Sequence, residues 1–206
     1  MDDILTRILK NFDFKACNFD NKFNFKKKTN ADESCILTGF ILVNTVKILT
    51  ICVIGNKDGG SIGKSDGNKI ASAVNYARKH NLNVFCFVTS GGMKIQENTN
   101  ALFQMSNIIN SINKFSEKKL LFVSILIKFV YGGIFASLVP MSDIIIAEED
   151  CKMGLTGPRI IQKTTHKKQN KEFQTAHMMK QCGLIDIVIN KNEIINLISD
   201  IILILK

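Results

Sequence analysis

Two Gly-Gly pairs each stand just beyond an apolar run that reads as a buried strand, and this placement narrows the folds open to the chain. The first run is Val84-Phe85-Cys86-Phe87-Val88-Thr89-Ser90, closed by Gly91-Gly92. The second is Leu120-Leu121-Phe122-Val123-Ser124-Ile125-Leu126, followed by Gly132-Gly133. An apolar, helix-like stretch comes after each pair. Glycine lets backbone approach a ligand closely, and N–H groups at turns and helix starts can hold negative charge. Two such donors converging on one point make an oxyanion hole. Close strand–helix packing explains a single pair equally well. The equivalent placement of both pairs points to one shared site at the carboxyl ends of parallel strands.

The pattern changes at Cys35. Residues 1–35 are polar and Asn/Lys/Phe-rich, with one short amphipathic helix expected over Asp2 to Phe12 and the rest irregular. Residues 36–206 read as a single domain. Ile36–Val43 and Lys47–Ile54 are strand-like, with Asn44-Thr45-Val46 as a hairpin turn between them. Helical spacing of Ile70, Ala73, Val74 and Ala77 follows, ending near His80-Asn81. The unit then repeats: strand 84–88, helix Ala101–Ile112 with Leu102, Met105, Ile108, Ile109 and Ile112 on one face, strand 120–127, helix Ile134–Val139, strand Asp143–Ala147. Lys152–Leu155, helices near Phe173–Lys180 and Glu193–Leu205, and a short strand Ile187–Ile189 complete the reading. Strands alternating with helices define an α/β fold with mostly parallel pairing.

A net charge of +9 favours an anionic partner such as cofactor phosphates, or else forms a solvated basic face. Much of the excess lies in Lys22, Lys26, Lys27, Lys28 and in Lys163, Lys167, Lys168, Lys171. No RNA-binding aromatic signature stands beside either cluster, so no nucleic-acid partner is expected. Six cysteines, none in C-x-x-C spacing, give no zinc ribbon or thioredoxin motif. Cys52 and Cys86 fall inside strand runs and read as buried thiols, which suits a reducing compartment: the cytoplasm, or a plastid stroma. Leu120 to Met141 is long enough to cross a bilayer. Lys128, the Gly132-Gly133 break and Pro140 make a strand, turn and helix the better reading, so no membrane partner is expected.

Gly59-Gly60-Ser61-Ile62-Gly63 precedes a helix and looks like a phosphate-cradling loop, but it has one residue too few for a P-loop and fails G-x-G-x-x-G. Neither the three histidines nor Ser90 form a metal cluster, a nucleophile elbow or a Ser-His-Asp set. Glu97 and Asp143 are the carboxylates nearest the glycine turns and read as structural groups. What remains is an electrostatic site without an acid or base of its own. Such a site suits a reaction whose substrate or cofactor supplies the base.

From about Asp32 onward these segments together resemble the β subunit of the carboxyltransferase component of acetyl-CoA carboxylase. The family's GGSMG turn and G-x-K-I helix start are similar to Gly59-Gly60-Ser61-Ile62-Gly63 and Gly67-Asn68-Lys69-Ile70. Its SGGARMQE loop resembles Ser90-Gly91-Gly92-Met93-Lys94-Ile95-Gln96-Glu97, and its L-x-Q-M helix resembles Leu102-Phe103-Gln104-Met105. The VSIL, GG-x-x-AS and D-x-x-IAE elements correspond to Val123–Leu126, Gly132–Ser137 and Asp143–Glu148. G-P-R-V-I-x-Q-T corresponds to Gly157–Thr164, with Lys163 substituted. Motifs in this order and at compatible spacing are far more specific than any one of them.

The resemblance implies a crotonase/ClpP-like spiral of β-β-α units and a half-enzyme that pairs with a homologous α-type subunit. It implies that a coenzyme A thioester, acetyl-CoA, binds this side. Carboxybiotin on a biotin carboxyl carrier protein would supply the carboxyl group and the base. The thioester enolate would capture CO₂ to give malonyl-CoA. Backbone N–H groups of Gly91, Gly92, Gly132 and Gly133 are then the expected oxyanion donors, each worth roughly 3–4 kcal/mol. Gly59, Gly60, Ser61, Lys94 and Arg159 are the expected cofactor-binding residues. The chain lacks the family's usual four-cysteine ribbon, so no zinc is expected. Met93-Lys94 replaces Ala-Arg, Phe129-Val130-Tyr131 replaces small polar residues, and Asn98 replaces a glycine. Bulky residues beside both turns are expected to narrow the pocket. The alternatives are a crotonase-fold thioester decarboxylase or hydrolase with Glu97 activating water, and a non-catalytic partner subunit whose glycine amides are blocked.

Overall fold

The buried strands expected from the apolar runs form an eight-stranded sheet in the order β1-β2-β3-β4-β5-β6-β8, with β7 paired to β5. The structure is a computed structural model and describes residues 3–17, 34–43, 45–167 and 169–204. Asn44, Lys168, Leu205 and the Lys22–Lys28 cluster lie outside the described residues. The chain enters through α1 (Asp3–Asn11) and the two-residue β1 (Lys15–Ala16), which pairs antiparallel with β2 (Ile36–Val43). Val43 stands opposite Val46, so β2 and β3 (Val46–Val53) form the expected hairpin, with Thr45 at φ 72. From β3 onward the pairing is parallel through β4 (Val84–Ser90), β5 (Phe122–Tyr131), β6 (Ile144–Glu148) and β8 (Ile187–Ile189).

Helices cover both faces, as parallel sheets require. Val84, Cys86 and Val88 point to one face, beneath α2 (Lys64–His80), α3 (Thr99–Ser116) and α4 (Gly132–Ser137). Phe85 and Phe87 point to the other, where α1 contributes Leu5, Ile8 and Leu9 and α7 (Ile194–Ile204) contributes Ile194, Ile198 and Ile202. The first helix, from the segment expected to precede the domain, thus packs into its core. Asn81 ends α2 in the left-handed conformation, and His80 stacks on Tyr76 at 4.1 Å between ring centroids. Cys52 and Cys86 are fully buried, and burial pushes both thiols up. Cys35 is pushed up to about 12, by burial first and by the Asp66 charge second. Thiols so perturbed are poor nucleophiles.

Three elements depart from the sequence reading. The strand expected to stop at residue 127 continues through Lys128 to Tyr131. Lys128 takes φ 58, its N–H donates to Glu148 Oε2 at 3.0 Å, and the strand changes partner there. Val123–Leu126 pair with β6, whereas Phe129–Tyr131 pair with β7 (Lys152–Gly154). The face of α3 is also rotated: Ala101, Gln104, Ile108, Ser111, Ile112 and Phe115 are buried, while Leu102 is exposed. An unforeseen helix, α5 (Pro158–Thr165), precedes α6 (Ala176–Gln181). Its start carries the Pro-at-first-turn signal.

Ile8 is completely buried although it precedes every β-α unit. Ile8→Ala should lower the unfolding free energy by about 2–5 kcal/mol in urea denaturation. A loss below about 0.5 kcal/mol would show that α1 lies outside the cooperative core.

Candidate functional site

Because β3, β4 and β5 run parallel, the turns that leave their carboxyl ends gather at one edge. The Gly59–Gly63 segment lies directly against the first diglycine loop. Gly91 N–H donates to Gly59 O at 2.7 Å, Ile62 N–H to Gly92 O at 2.9 Å, and Lys94 N–H to Ile62 O at 2.8 Å. Gly60, at φ +66, passes so close to Thr89 O that no β-carbon fits. The donors expected to cradle a phosphate are used inside the turn itself. Gly60 N–H reaches Lys57 O at 2.7 Å and Ser61 N–H reaches Asp58 O at 3.1 Å. Ser61 Oγ also donates to Asp58 O, at 2.8 Å. Gly59 stands exposed with open space around it.

The two diglycine corners meet. A β-carbon on Gly92 would lie 3.2 Å from Tyr131 O and 3.3 Å from Gly132 Cα. One on Gly132 would lie 3.1 Å from Gly92 Cα. Gly92 at φ +116 and Gly132 at φ +66 occupy backbone conformations that other residues resist. The individual donors differ from those the sequence suggests. Gly91 N–H is held by Gly59 O, and Gly92 N–H donates to Ser90 Oγ at 3.1 Å. On this corner the amide left without an acceptor among the described residues is that of Met93. On the second corner Tyr131 precedes α4 and supplies no side-chain cap. Gly133 N–H, in the first turn of α4, has no intrahelical acceptor. A β-carbon on Gly92 would lie 3.6 Å from Gly133 N, so the two corners bring Met93 and Gly133 together.

Side chains frame this point. The thioethers of Met93 and Met105 lie against Gly133, where an added β-carbon would stand 2.8 Å from Met93 Sδ and 2.9 Å from Met105 Sδ. The bulk expected beside the turns is therefore real, and on this wall it is a pair of flexible methionines. Tyr131 is half-buried, and burial raises its phenol pKa, with Cys151 adding to the effect.

The nearby charges are already paired. Lys94 Nζ meets Asp58 at 3.0 Å. That hydrogen bond is the largest influence raising the Lys94 pKa, against an opposing desolvation. Glu97 Oε2 accepts from Lys64 N–H at 2.6 Å and so caps α2. Asp66 accepts from Gly63 N–H at 3.0 Å. Asp143, expected beside the glycine turns, instead accepts from Phe122 N–H at 2.7 Å at the amino end of β5, on the opposite edge of the sheet from the corners, because it precedes a strand parallel to β5. Arg159 is exposed on α5. Between α5, Phe135 and the end of β7 runs a cleft of about 570 Å³, lined by Leu155, Ile160, Ile161 and Phe173. It borders the second corner, since Leu155 O would lie 4.0 Å from a β-carbon on Gly132. Gln174 lies on its floor, donating to Thr156 O at 2.7 Å, with its own amide oxygen buried and unpaired. Neither this cleft nor Met93 was foreseen as part of the site. The recurrence of Ile160, Ile161 and Thr164 at helical spacing was the available signal. Among the described residues no group of three His, Cys, Asp or Glu could hold a metal, and no helix is long and apolar enough to cross a membrane.

Parallel β-α units whose glycine corners meet at one edge of the sheet define a crotonase-type α/β fold, and comparison with solved structures agrees. Transcarboxylase 12S superposes with TM-score 0.79 at 21% identity, over 96% of this chain and 40% of that one. The Pseudomonas malonate decarboxylase hetero-dimer superposes with TM-score 0.73 at 18% identity, over 88% and 81% of the two chains. Residues 31–205 match the carboxyl transferase domain family, and the chain belongs to it. It is 34% identical over 172 residues to the acetyl-coenzyme A carboxylase carboxyl transferase subunit beta of Clostridioides difficile (strain 630), covering 82% of this chain and 60% of that protein. The corresponding chloroplastic subunit of Cyanidium caldarium is 31% identical over 169 residues, covering 82% of this chain and 63% of that protein. The chain thus spans about three fifths of the length of these two relatives.

The steric fit of the corners is directly testable. Gly92→Ala should destabilise the protein by about 1–3 kcal/mol through backbone strain. Gly91→Ala, where a β-carbon meets only Gly59 O at 3.3 Å, should cost under about 1 kcal/mol by the same thermal unfolding measurement. Equal losses would show that the close approach at Gly92 is not required.

Proposed function

We propose that this chain is the β-type half of a biotin-dependent carboxyltransferase. With an α-type partner it would transfer a carboxyl group from carboxybiotin, borne by a biotin carboxyl carrier protein, to acetyl-CoA, giving malonyl-CoA. Family membership supports the class of reaction, and the acetyl-coenzyme A carboxylase subunits among its relatives support the substrate. The observation that carries the reading is the meeting of the two corners, with the Met93 and Gly133 amides as the donor pair.

The chemistry follows from those donors. A thioester oxygen set between the Met93 and Gly133 amides gains little while neutral and much once it becomes an enolate oxygen. Such differential stabilisation lowers the barrier. In this reading Gly92 and Gly132 shape the corners and leave the donating to their neighbours. Bound carboxybiotin supplies the CO₂ and the base. A base brought from outside suits the site, because Glu97 and Asp66 each hold a backbone amide, Asp58 holds Lys94 and Asp143 lies at the opposite edge of the sheet. Gly59, Gly60 and Ser61 then serve as the template for the first corner. Lys94 secures that template through Asp58. Arg159, exposed on α5, would be a cation for cofactor phosphates in this reading.

The hydrolase alternative requires Glu97 to leave the start of α2, at the loss of the 2.6 Å bond to Lys64 N–H. The engaged amides of Gly91 and Gly92 support the non-catalytic alternative only if Met93 and Gly133 cannot replace them. Copurification with the α-type partner should yield malonyl-CoA from acetyl-CoA and carboxybiotin. Absence of turnover from an intact complex would overturn the enzymatic reading. Gly133→Val drives a side chain into Met93 and Met105, and should lower kcat by roughly 10²–10³, the effect of a lost oxyanion donor. The complex should still assemble, as gel filtration would show. Unchanged kcat would remove this corner from the mechanism.

A further inference from the structure

Ser90 closes β4 with its side chain wholly buried. Its hydroxyl donates to Gly60 O at 2.6 Å and accepts from Gly92 N–H at 3.1 Å. One oxygen atom thus ties the 58–60 turn to the first diglycine corner. At the other end of the same residue, Gly92 O accepts from Ile62 N–H at 2.9 Å. Gly92 is therefore gripped at both its N–H and its C=O. A trans peptide points its C=O and N–H in opposite directions. With Gly92 O turned towards Ile62, the Met93 N–H of the same peptide must project the other way. Gly92 itself sits at φ +116, where nothing intrinsic favours one nearby value over another.

We propose that Ser90 is a positioning residue for carboxyl transfer, its hydroxyl pinning Gly92 so that the Met93 amide faces the corner shared with Gly133. Its consequence for catalysis rests on the carboxyltransferase reading; its structural effect does not. Removing the hydroxyl leaves Gly92 N–H and Gly60 O without this partner inside a closed corner, and a buried polar group so stranded turns to find another. The Gly91–Gly92 peptide would then turn, and because the free φ of Gly92 links it to the next peptide, the Gly92–Met93 peptide, held only by Ile62 N–H on Gly92 O, would shift with the Met93 N–H. Substrate binding, which uses the whole length of a coenzyme A thioester, would change little. The loss would fall on the step in which the thioester oxygen becomes anionic.

The test compares Ser90→Ala with the native chain, in complex with its α-type partner. Amide hydrogen exchange should be at least about tenfold faster at Gly92, as expected when a protecting bond is lost. The carbonyl band of bound [1-13C]acetyl-CoA, read by difference infrared spectroscopy, should lose the red shift it shows in the native complex. The kcat should fall roughly 10- to 100-fold, less than the loss of a donor outright, while KM for acetyl-CoA stays within about twofold. Ser90→Cys keeps the side-chain shape with a weaker donor, so an intermediate kcat is expected. That variant also carries the exchange comparison if Ser90→Ala does not fold. Unchanged exchange at Gly92, or an unchanged kcat in an active complex, overturns the proposal. So does a parallel loss of kcat, KM and assembly, which marks a purely structural role. If the native complex turns over no acyl-CoA, the carboxyltransferase reading fails by itself, and exchange at Gly92 still decides whether Ser90 is the pin.

Discussion

The contact on which the site depends is between two stretches of main chain, Gly92 and Gly132, both at positive φ and so close that a β-carbon on either would stand 3.1–3.2 Å from the other strand's backbone. Backbone brought this near needs a cause elsewhere, and the strands supply it. The ladder between β4 and β5 shifts register between Val88 and Ser90, and β5 bends at Lys128. A non-glycine residue at positive φ is strained by roughly 1–3 kcal/mol. Here the bond from Lys128 N–H to the buried carboxylate of Glu148 offsets part of that strain. The bend lets β5 leave β6 for β7, and the extra three residues deliver Gly132 to Gly92. Without it the second turn would leave the sheet one strand pair earlier.

Much of this architecture is legible in the residues, for identifiable reasons. Strands buried on both faces must be apolar throughout, so β4 and the first part of β5 read directly from the chain. Hairpin and helix ends announce themselves through Thr45 and Asn81. The failures occur where apolarity is a poor guide. On α3 the pattern of Leu102, Met105, Ile108, Ile109 and Ile112 suggests one face; Ile108 and Ile112 are buried as expected, yet the buried face also carries Gln104 and Ser111 while Leu102 is exposed. Gln104 packs against Gly67 of α2, where a β-carbon would stand 2.5 Å from the Gln104 Cβ. Its amide oxygen accepts from Asn107 at 3.0 Å. Two helices that approach through a glycine bury whatever lies opposite, provided its polar atoms are satisfied. Likewise the charge of Lys128 interrupts the apolar run without interrupting the strand.

The site itself is legible in position and misread in atoms. Glycine marks where the chain must turn left or crowd another strand, so the pairs locate the corners correctly. The same demand gives the glycine amides work to do within the fold. Gly91 N–H and Gly92 N–H lie on the inside of the turn they create, held by Gly59 O and Ser90 Oγ. The amide that points outward belongs to the next residue, Met93. A glycine motif therefore identifies a corner by where the backbone must crowd or turn, while a donor amide can sit on the next residue, whose side chain the turn does not constrain.

The disposition of charge separates the competing chemistries more sharply than the fold does, since one fold serves many reactions. Beside the corners Glu97 and Asp66 are committed to structural bonds, and Lys94 is balanced by Asp58. The field at the meeting point is then set by main-chain dipoles. Dipoles of fixed orientation stabilise an oxygen that gains charge without first having to reorganise. They offer no proton acceptor. A hydrolase on this frame must free Glu97 and so uncap α2, whereas transfer from a cosubstrate that brings its own base requires no change in any bond described. The second route asks less of the structure, since it leaves the bond from Lys64 N–H to Glu97 in place.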